Sequence, residues 1–438
     1  MVIVPAGGPG RRIQTVSLTR QKATLSLFGH TMLEYALQPV LELCGKRSAI
    51  RVVTGHFAGQ VEAILAGRKP IECVCAAELA KEIAAAKGDI LILPGDTVLD
   101  TGGLRNFIEQ ARKFPAAVLT RNFNDYIGRQ RNYPLPKRKF VFVESAAGDH
   151  APDILNSPLA GALADRPPET YNGSFHVAAG GVLYLGSGIR PRTFDPDPCA
   201  LLAGLIKDGH KVACIPQQGR FCDLDDFGDF RELSLVAIGI FAQRMTATKI
   251  ARGAKVDKTT VITGCVEVEA GAMIESNVRI EGPAHVGAGA LLKSGSWVKC
   301  SWIGRDCRVG PNTCVRYASL GDRTVIGQGR DCAGIVTLED VQVLGPGCFN
   351  GLVGAGATVY PNATIGDHPV DNSPVRTACG DEIMDTGLSS LGPLVGGGAV
   401  IGPNAKIMPG RQVGANAEVD AGVIVIRNVP PGEYGVSP

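Results

Sequence analysis

The sequence predicts two parts: an α/β domain on a mostly parallel sheet, then a hexapeptide-repeat parallel β-helix. Three observations carry this. Strand-like and helix-like segments alternate up to about residue 250. From Val256 onward, branched aliphatics recur every six residues. Glycine is abundant, at 56 of 438 residues, and aromatic content is only 5%, which suits many tight turns and few bulky core layers.

In the first part, "MVIVPAGG" is a short apolar run ending in glycines. "TMLEYALQPVLELC" has the apolar spacing of a helix, "AIRVVTGH" reads as a strand, and "AGQVEAILAG" as a helix ending at Gly67. "DILILPGD" is a buried-type strand, "GGLRNFIEQARKF" a helix and "AAVLTR" a strand. Such alternation predicts a mostly parallel sheet covered on both faces, with ligands at the carboxyl ends of its strands. The turns "PAGGPG" and "LPGDTVLD" fall at such ends.

In the second part the aliphatic positions are Val256, Ile262, Val268, Ile274, Ile280, Val286, Leu292 and Val298. The phase slips by one at Ile303, continues through Val309 and Val315, and slips again at Leu320 and Ile326. It returns at Val353, Val359 and Ile365, and once more from Val395 to Val425. Each hexad supplies one short strand and one turn, and three make a coil, so residues 256–425 amount to roughly nine coils. An amphipathic helix drifts out of phase with a period of six. Residues 327–352 keep the repeat poorly and residues 366–394 break it fully, as loops projecting from a solenoid do. The expected division is 1–250 and 251–438.

The charge balance, 44 basic against 42 acidic residues, gives no reason to expect nucleic acid or an anionic membrane as a partner. The 13 cysteines include no C-x-x-C pair, so they read as reduced, mainly buried thiols. The longest apolar segment, Leu233 to Phe241, is too short to span a bilayer, and the opening residues read as a strand rather than a signal peptide. A cytoplasmic location is expected.

The candidate chemistry starts at the amino terminus, where a glycine-rich turn is followed by Arg11, Arg12, Arg20 and Lys22. Naked backbone beside positive charge suits a phosphate. As a dinucleotide fingerprint the turn is poor, because Ile13 stands where the third glycine belongs. "GGPG" also reads as an ordinary turn, and Arg12 and Lys22 as solvated charges. Asp223, beside Asp225 and Asp226, also reads as the cap of the next helix.

Taken in order, these segments resemble the sugar-1-phosphate nucleotidyltransferases that carry a C-terminal acyltransferase-like domain. The nearest likeness is the bifunctional N-acetylglucosamine-1-phosphate uridylyltransferase/glucosamine-1-phosphate acetyltransferase type. "AGGPGRRI" matches the family opening without gaps, Lys22 takes the place of the family lysine, and "FGHTMLEY" continues the match. "LPGDTV" and "FCDLDDFGDF" match later family elements through Asp96 and Asp223. The resemblance implies a Rossmann-like nucleotidyltransferase domain and a left-handed β-helix. It implies phosphate binding by Ala6, Gly7, Gly8 and Gly10, catalytic roles for Arg12 and Lys22, and a Mg²⁺ ion shared by Asp96 and Asp223. Sugar contacts fall on Gly128, Glu144 and Gly180. The implied reaction joins a nucleoside triphosphate to a sugar 1-phosphate and releases pyrophosphate. An acetyl-transfer activity with acetyl-CoA is implied for the second part, with His368 as candidate base. A homotrimer or a dimer of trimers is implied as well.

The chain departs from the family pattern at several points. Arg11 replaces a small hydroxyl residue, Gln21 a proline, Ser145 a lysine and Ala178 an asparagine, and the stretch 71–96 is too short for the family's base-reading segment. His285 reads as a turn residue, and either histidine also reads as a plain surface residue. These departures leave two alternatives: a catalytically degenerate relative acting as a regulatory or assembly subunit, and an acetyl-CoA-dependent sugar acyltransferase.

Overall fold

The computed structural model describes residues 1–44, 48–122, 142–145, 154–158, 175–191, 198–345 and 347–434. The chain divides into two compact units. The first comprises Met1–Gly10, Arg20–Thr24 and Thr31–Asp225; the second comprises Arg11–Thr19, Leu25–His30 and Asp226–Pro438.

The first unit is built on a nine-stranded sheet. Its order is Ile71–Val74, Ile50–Val53, Val2–Pro5, Ile90–Ile92, Phe175–Leu185, Ala116–Asn122, Val212–Pro216, Ile154–Pro158 and Phe142–Ser145. The first four strands are mutually parallel. Phe175–Leu185 runs antiparallel to both neighbours, so the sheet is mixed. Alternate side chains serve opposite faces. Val2 and Val4 pack with Leu33 and Leu37 of helix Met32–Cys44 and Phe107 of helix Thr101–Ala111. Ile3, Ile90 and Ile92 pack instead with Leu79 and Ile83 of helix Ala76–Ala85 and Leu201 and Leu205 of helix Pro198–Lys207. Burial on both faces is why these strands read as continuous apolar runs. Strand Ile71–Val74 and helix Ala76–Ala85 lie beyond the alternation read from the sequence.

Strand order decides where this sheet can bind a ligand. From Val2–Pro5 the chain steps to Ile50–Val53 and Ile71–Val74 on one side, then returns to place Ile90–Ile92 on the other. The direction of addition therefore reverses between Val2–Pro5 and Ile90–Ile92. A crevice opens beyond the carboxyl ends at such a point, because the connections leave toward opposite sides.

The second unit contains three parallel sheets of nine strands each, and successive strands visit the three sheets in rotation. This run of parallel strands fits a β-helix. Inward residues stack in register, as in the columns Val298, Val315 and Cys332, and Ile365, Ile407 and Val425. Val268 through Ile326, at the positions read from the period, are all buried in one core, with Val256 and Ile262 partly buried against it.

The stretch 327–352 is not an interruption. Strands Asp331–Ala333, Val336–Thr337, Gln342–Val343 and Gly347–Phe349 run through it. The aliphatic signal fades because Cys332 and Thr337 hold inward positions, both at most 1% exposed. The buried Thr337 hydroxyl lies 2.9 Å from that of Thr324 and accepts the Gly321 N–H, so it is satisfied. Residues 366–394 do leave the coil and form an antiparallel pair, Arg376–Cys379 with Glu382–Asp385.

One sheet of the solenoid has a covered outer face. The Phe28 N–H donates to Ser319 Oγ at 2.8 Å, and Phe28, Phe241 and Trp302 form an aromatic chain with centroids 5.7 and 5.8 Å apart. Thr15 Oγ1 donates to Gln412 Oε1 at 2.7 Å. His285 is also on this face, in strand Ala284–Val286 rather than in a turn, 4% exposed and stacked on Trp302 at 3.7 Å. Its position follows from the two-residue alternation: Val286 points inward, so His285 points outward, where Trp302 stacks on it.

Candidate functional site

In the first unit, the turn after strand Val2–Pro5 is held against strand Ile50–Val53 and the residues after it. Ala6 N–H donates to Val53 O at 2.9 Å, and His56 N–H donates to Gly7 O at 3.0 Å. A Cβ on Gly7 would meet Gly55 N at 2.7 Å, so only glycine permits this approach. Gly8 has open space where a Cβ would stand, and Gly10 takes a φ of +60°. Among the described residues, the amides of Gly7 and Gly8 have no hydrogen-bond acceptor.

Asp96 arrives from the adjacent strand across the reversal point. Leu93 N–H donates to Ile3 O and Gly95 N–H to Pro5 O, laying residues 93–96 along the end of Val2–Pro5. A Cβ on Gly95 would lie 3.1 Å from that of Ala6. Asp223 is brought in by a two-stranded antiparallel ribbon, Thr97–Leu99 with Phe221–Asp223, in which Asp223 stands opposite Thr97. Asp100 fastens this ribbon. Its Oδ1 caps helix Thr101–Ala111 at the Gly103 N–H (2.7 Å), and its Oδ2 accepts the Arg220 N–H (2.8 Å). Leu224 N–H reaches Asp96 O at 3.3 Å.

Lys22 completes the cluster. It opens the short 3₁₀ turn Lys22–Thr24, and its ammonium pairs with Asp96 and donates to Leu224 O at 2.5 Å. Burial acts to lower the Lys22 pKa, but Asp96, Asp225 and Asp223 together raise it above the usual lysine range. The group is thus a fixed cation among three carboxylates. Such an arrangement offers backbone N–H donors, one ammonium and hard oxygen ligands at a single crevice, the donor types that polyphosphates and hard divalent cations require.

The first unit therefore brings together Ala6, Gly7, Gly8, Lys22, Asp96 and Asp223. Arg12 clusters with the second unit. Gly128 lies outside the described residues; Glu144 and Gly180 fall in the strands Phe142–Ser145 and Phe175–Leu185. The sequence alone does not single out Asp100 or Leu224, and it marks Gln21 only as a departure from the family pattern, because each acts through hydrogen bonds that only the fold reveals. Among the described residues, no group of three or more His, Cys, Asp or Glu is arranged to hold a metal ion. No helix among them is long and apolar enough to cross a membrane.

In the second unit, His368 lies just beyond the last strand before the 366–394 excursion. Its Nδ1 lies 2.8 Å from Asp367 Oδ1. The other carboxylate oxygen, Oδ2, accepts from Asn350 Nδ2 and Ser390 Oγ, each at 2.7 Å. Burial would raise the Asp367 pKa, but the bonds from His368, Ser390 and Asn350 outweigh it and hold the carboxyl below the usual range. Asp367 is 13% exposed and His368 62%, so a braced carboxylate orients an accessible imidazole.

No family model matches the chain. Over 101 residues it is 31% identical to uncharacterized acetyltransferases named YaiX from two Escherichia coli strains, K12 and O6:K15:H31. That match covers 23% of this chain and 44% of each relative, so the chain spans less than half the length of these proteins. Over 449 aligned residues it is 23% identical to a bifunctional sugar-1-phosphate nucleotidylyltransferase/acetyltransferase of Sulfurisphaera tokodaii, with 98% of both chains covered. The chain thus has a distant full-length relative that is a transferase.

Proposed function

We propose that the chain is a sugar-1-phosphate nucleotidyltransferase, with a Rossmann-like transfer domain in residues 1–250 and a left-handed β-helix in residues 251–438. The single observation that carries the reading is the meeting of unpartnered glycine amides, Lys22 and two aspartates at the sheet's reversal point. In this reading the amides of Gly7 and Gly8 bind phosphate oxygens of a nucleoside triphosphate. Lys22, held beside Asp96, offsets the negative charge that develops as pyrophosphate departs. The phosphate oxygen of a sugar 1-phosphate attacks the α-phosphorus, and pyrophosphate leaves.

Asp96 and Asp223 suit Mg²⁺ by donor type, since that ion is commonly held by one or two carboxylates together with substrate phosphates. When bound it would neutralise phosphate charge. The full-length resemblance to the Sulfurisphaera tokodaii protein supports the same reading. A homotrimer or dimer of trimers in the cytoplasm is part of the proposal. The test is direct: purified protein is incubated with Mg²⁺, a panel of triphosphates and hexose 1-phosphates, and pyrophosphate is measured. Folded protein that releases none across the panel overturns the proposal.

The Asp367–His368 pair favours a second reading, acyl transfer from acetyl-CoA to an amino sugar, with His368 taking the proton from the attacking amine. The acetyltransferase names of the relatives point the same way. CoA release with glucosamine 1-phosphate should fall at least about 100-fold in His368→Ala, the low end of the usual general-base contribution. Equal release in the two proteins removes His368 from the chemistry.

A further inference from the structure

Gln21 stands where the resembling family has proline, and it is 2% exposed. Its side-chain amide is fully engaged. Nε2 donates to Gly8 O at 3.0 Å and to His56 O at 3.1 Å, while Oε1 accepts the Ala23 N–H at 3.3 Å. Its main chain is engaged as well. The Gln21 N–H donates to Gln60 Oε1 at 2.7 Å, and its carbonyl accepts from Thr24 N–H and Thr24 Oγ1. One buried residue therefore ties together the glycine turn, the residues after strand Ile50–Val53, and the 3₁₀ turn that begins with Lys22.

The consequence lies in peptide geometry. In a trans peptide the C=O and the next N–H point in opposite directions. Gly7 O is taken by His56 N–H, so the Gly8 N–H of the same peptide faces away from His56. Gly8 O is held by Gln21, and the next residue, Pro9, has no N–H to offer. The turn cannot swing its carbonyls outward without breaking these bonds. Gly8 itself is exposed, its amide has no acceptor among the described residues, and a Cβ there would meet nothing within 4 Å, so the donor is left free on a turn whose carbonyls are both engaged.

We propose that Gln21 is a positioning residue for triphosphate binding: it locks the glycine turn with the Gly8 amide free and sets the 3₁₀ turn of Lys22 in the same frame. This rests on the nucleotidyl-transfer reading and adds a residue to it. Gln21 touches no substrate. It keeps an amide donor and a cation pre-aligned, so that binding a phosphate chain needs no rearrangement of the turn. A proline at this position would supply rigidity but none of the three side-chain bonds.

The test uses the full-length protein. Wild type is first titrated calorimetrically with ATP, CTP, GTP, UTP and dTTP to find the triphosphate it binds, and Gln21→Met and Gln21→Glu are compared with that ligand. Gln21→Met keeps the length and removes every polar atom. It should weaken triphosphate binding about 10-fold or more, the usual effect of losing bonds that hold a charged ligand's donor in place. The KM for the sugar 1-phosphate should stay within about twofold. Gln21→Glu should be worse at pH 8, where an ionised carboxylate faces two carbonyls, and should recover part of the loss at pH 5, where protonation restores one donor.

A purely structural glutamine lowers the melting temperature while leaving triphosphate affinity within about twofold of wild type, and that result overturns the inference. Where neither variant folds, ¹⁵N-glycine-labelled wild type decides. The Gly8 amide resonance must shift on titration with the triphosphate, and a Gly8 signal that stays put at saturation overturns it. Wild type that binds none of the five triphosphates defeats the nucleotidyl-transfer reading itself. Wild type that binds and turns over, with unaffected Gln21 variants, defeats only this inference.

Discussion

The two units place residues by opposite means. In the second, Val298, Val315 and Cys332 stack because the chain returns to the same place once per coil, and a residue's phase decides its neighbours. In the first, Gly8, Lys22, Asp96 and Asp223 come from segments far apart in sequence. They meet because strand order reverses beside Val2–Pro5 and a short ribbon sets Asp223 opposite Thr97. A repeat is redundant: many residues do the same job, and one can be replaced by another of similar size. A site assembled by topology has one residue per role. Substitution at the first unit's site residues should therefore remove function with little change in stability, and substitution at an inward position of the solenoid should do the reverse.

The largest expected effect breaks the comparison at its functional end. Asp96→Asn keeps the size and the backbone contacts of residues 93–96 but removes the charge that Lys22 pairs with and that a divalent cation requires. Pyrophosphate release should fall by about 10²–10³, the typical cost of deleting one electrostatic contributor to a transition state. Lys22 keeps Asp223, Asp225 and the Leu224 carbonyl, so the melting temperature should move by only a few degrees, or about 1 kcal/mol. Unchanged turnover would separate Asp96 from the reaction; loss of folding would make it a structural residue.

Next in size is the solenoid core. Ile303→Ala should cost about 2–5 kcal/mol, because the stacked coils cannot collapse around a cavity. Cys332→Val keeps an apolar side chain of similar volume and should cost less than about 1.5 kcal/mol. Both tryptophans of the chain, Trp297 and Trp302, belong to the second unit, so urea unfolding followed by tryptophan fluorescence reads that unit alone. Equal costs for the two substitutions would mean that residue identity, not phase, sets stability here.

The same contrast explains which features were legible in the sequence. Period six announced the solenoid and nearly all its inward positions, since each hexad repeats a local rule. It failed over 327–352, where Cys332 and Thr337 replace aliphatics and the spacing between them shrinks to five. A thiol and a satisfied hydroxyl occupy the inward position as well as a methyl does, yet neither registers as hydrophobic pattern. In the first unit, strand and helix segments were legible from their apolar spacing, and the aspartates from motif resemblance. That Asp96 and Asp223 are neighbours is evident only from the ribbon pairing. The part played by Gln21 was hidden because it departs from the family pattern. The burial of His285 was hidden because Trp302, which stacks on it, comes from the next coil and meets it only through strand register.

The smallest expected effect concerns that histidine. Burial lowers the His285 pKa below its usual 6.5, working against Glu267 and Glu269, which lie 3.8 Å from its ring nitrogens. In the unfolded chain the imidazole takes up its proton near the usual value; in the folded chain it does so only at lower pH. Between the two, the unfolded state binds more protons, so stability present above pH 6.5 is lost as pH falls through that value. The slope cannot exceed ~1.4 kcal/mol per pH unit for one group. The window is separate from that of Asp367, whose depressed carboxyl acts below its usual 3.8. Because Trp302 stacks directly on His285, its fluorescence should track the loss: the urea midpoint should drop between pH 7.5 and 5.5 in wild type and drop less in His285→Gln. A midpoint that rises on acidification would reverse the sign and show that the two glutamates, not burial, govern this buried ring. The second unit would then hold a stabilising charge pair where its repeat reads only an outward-facing position.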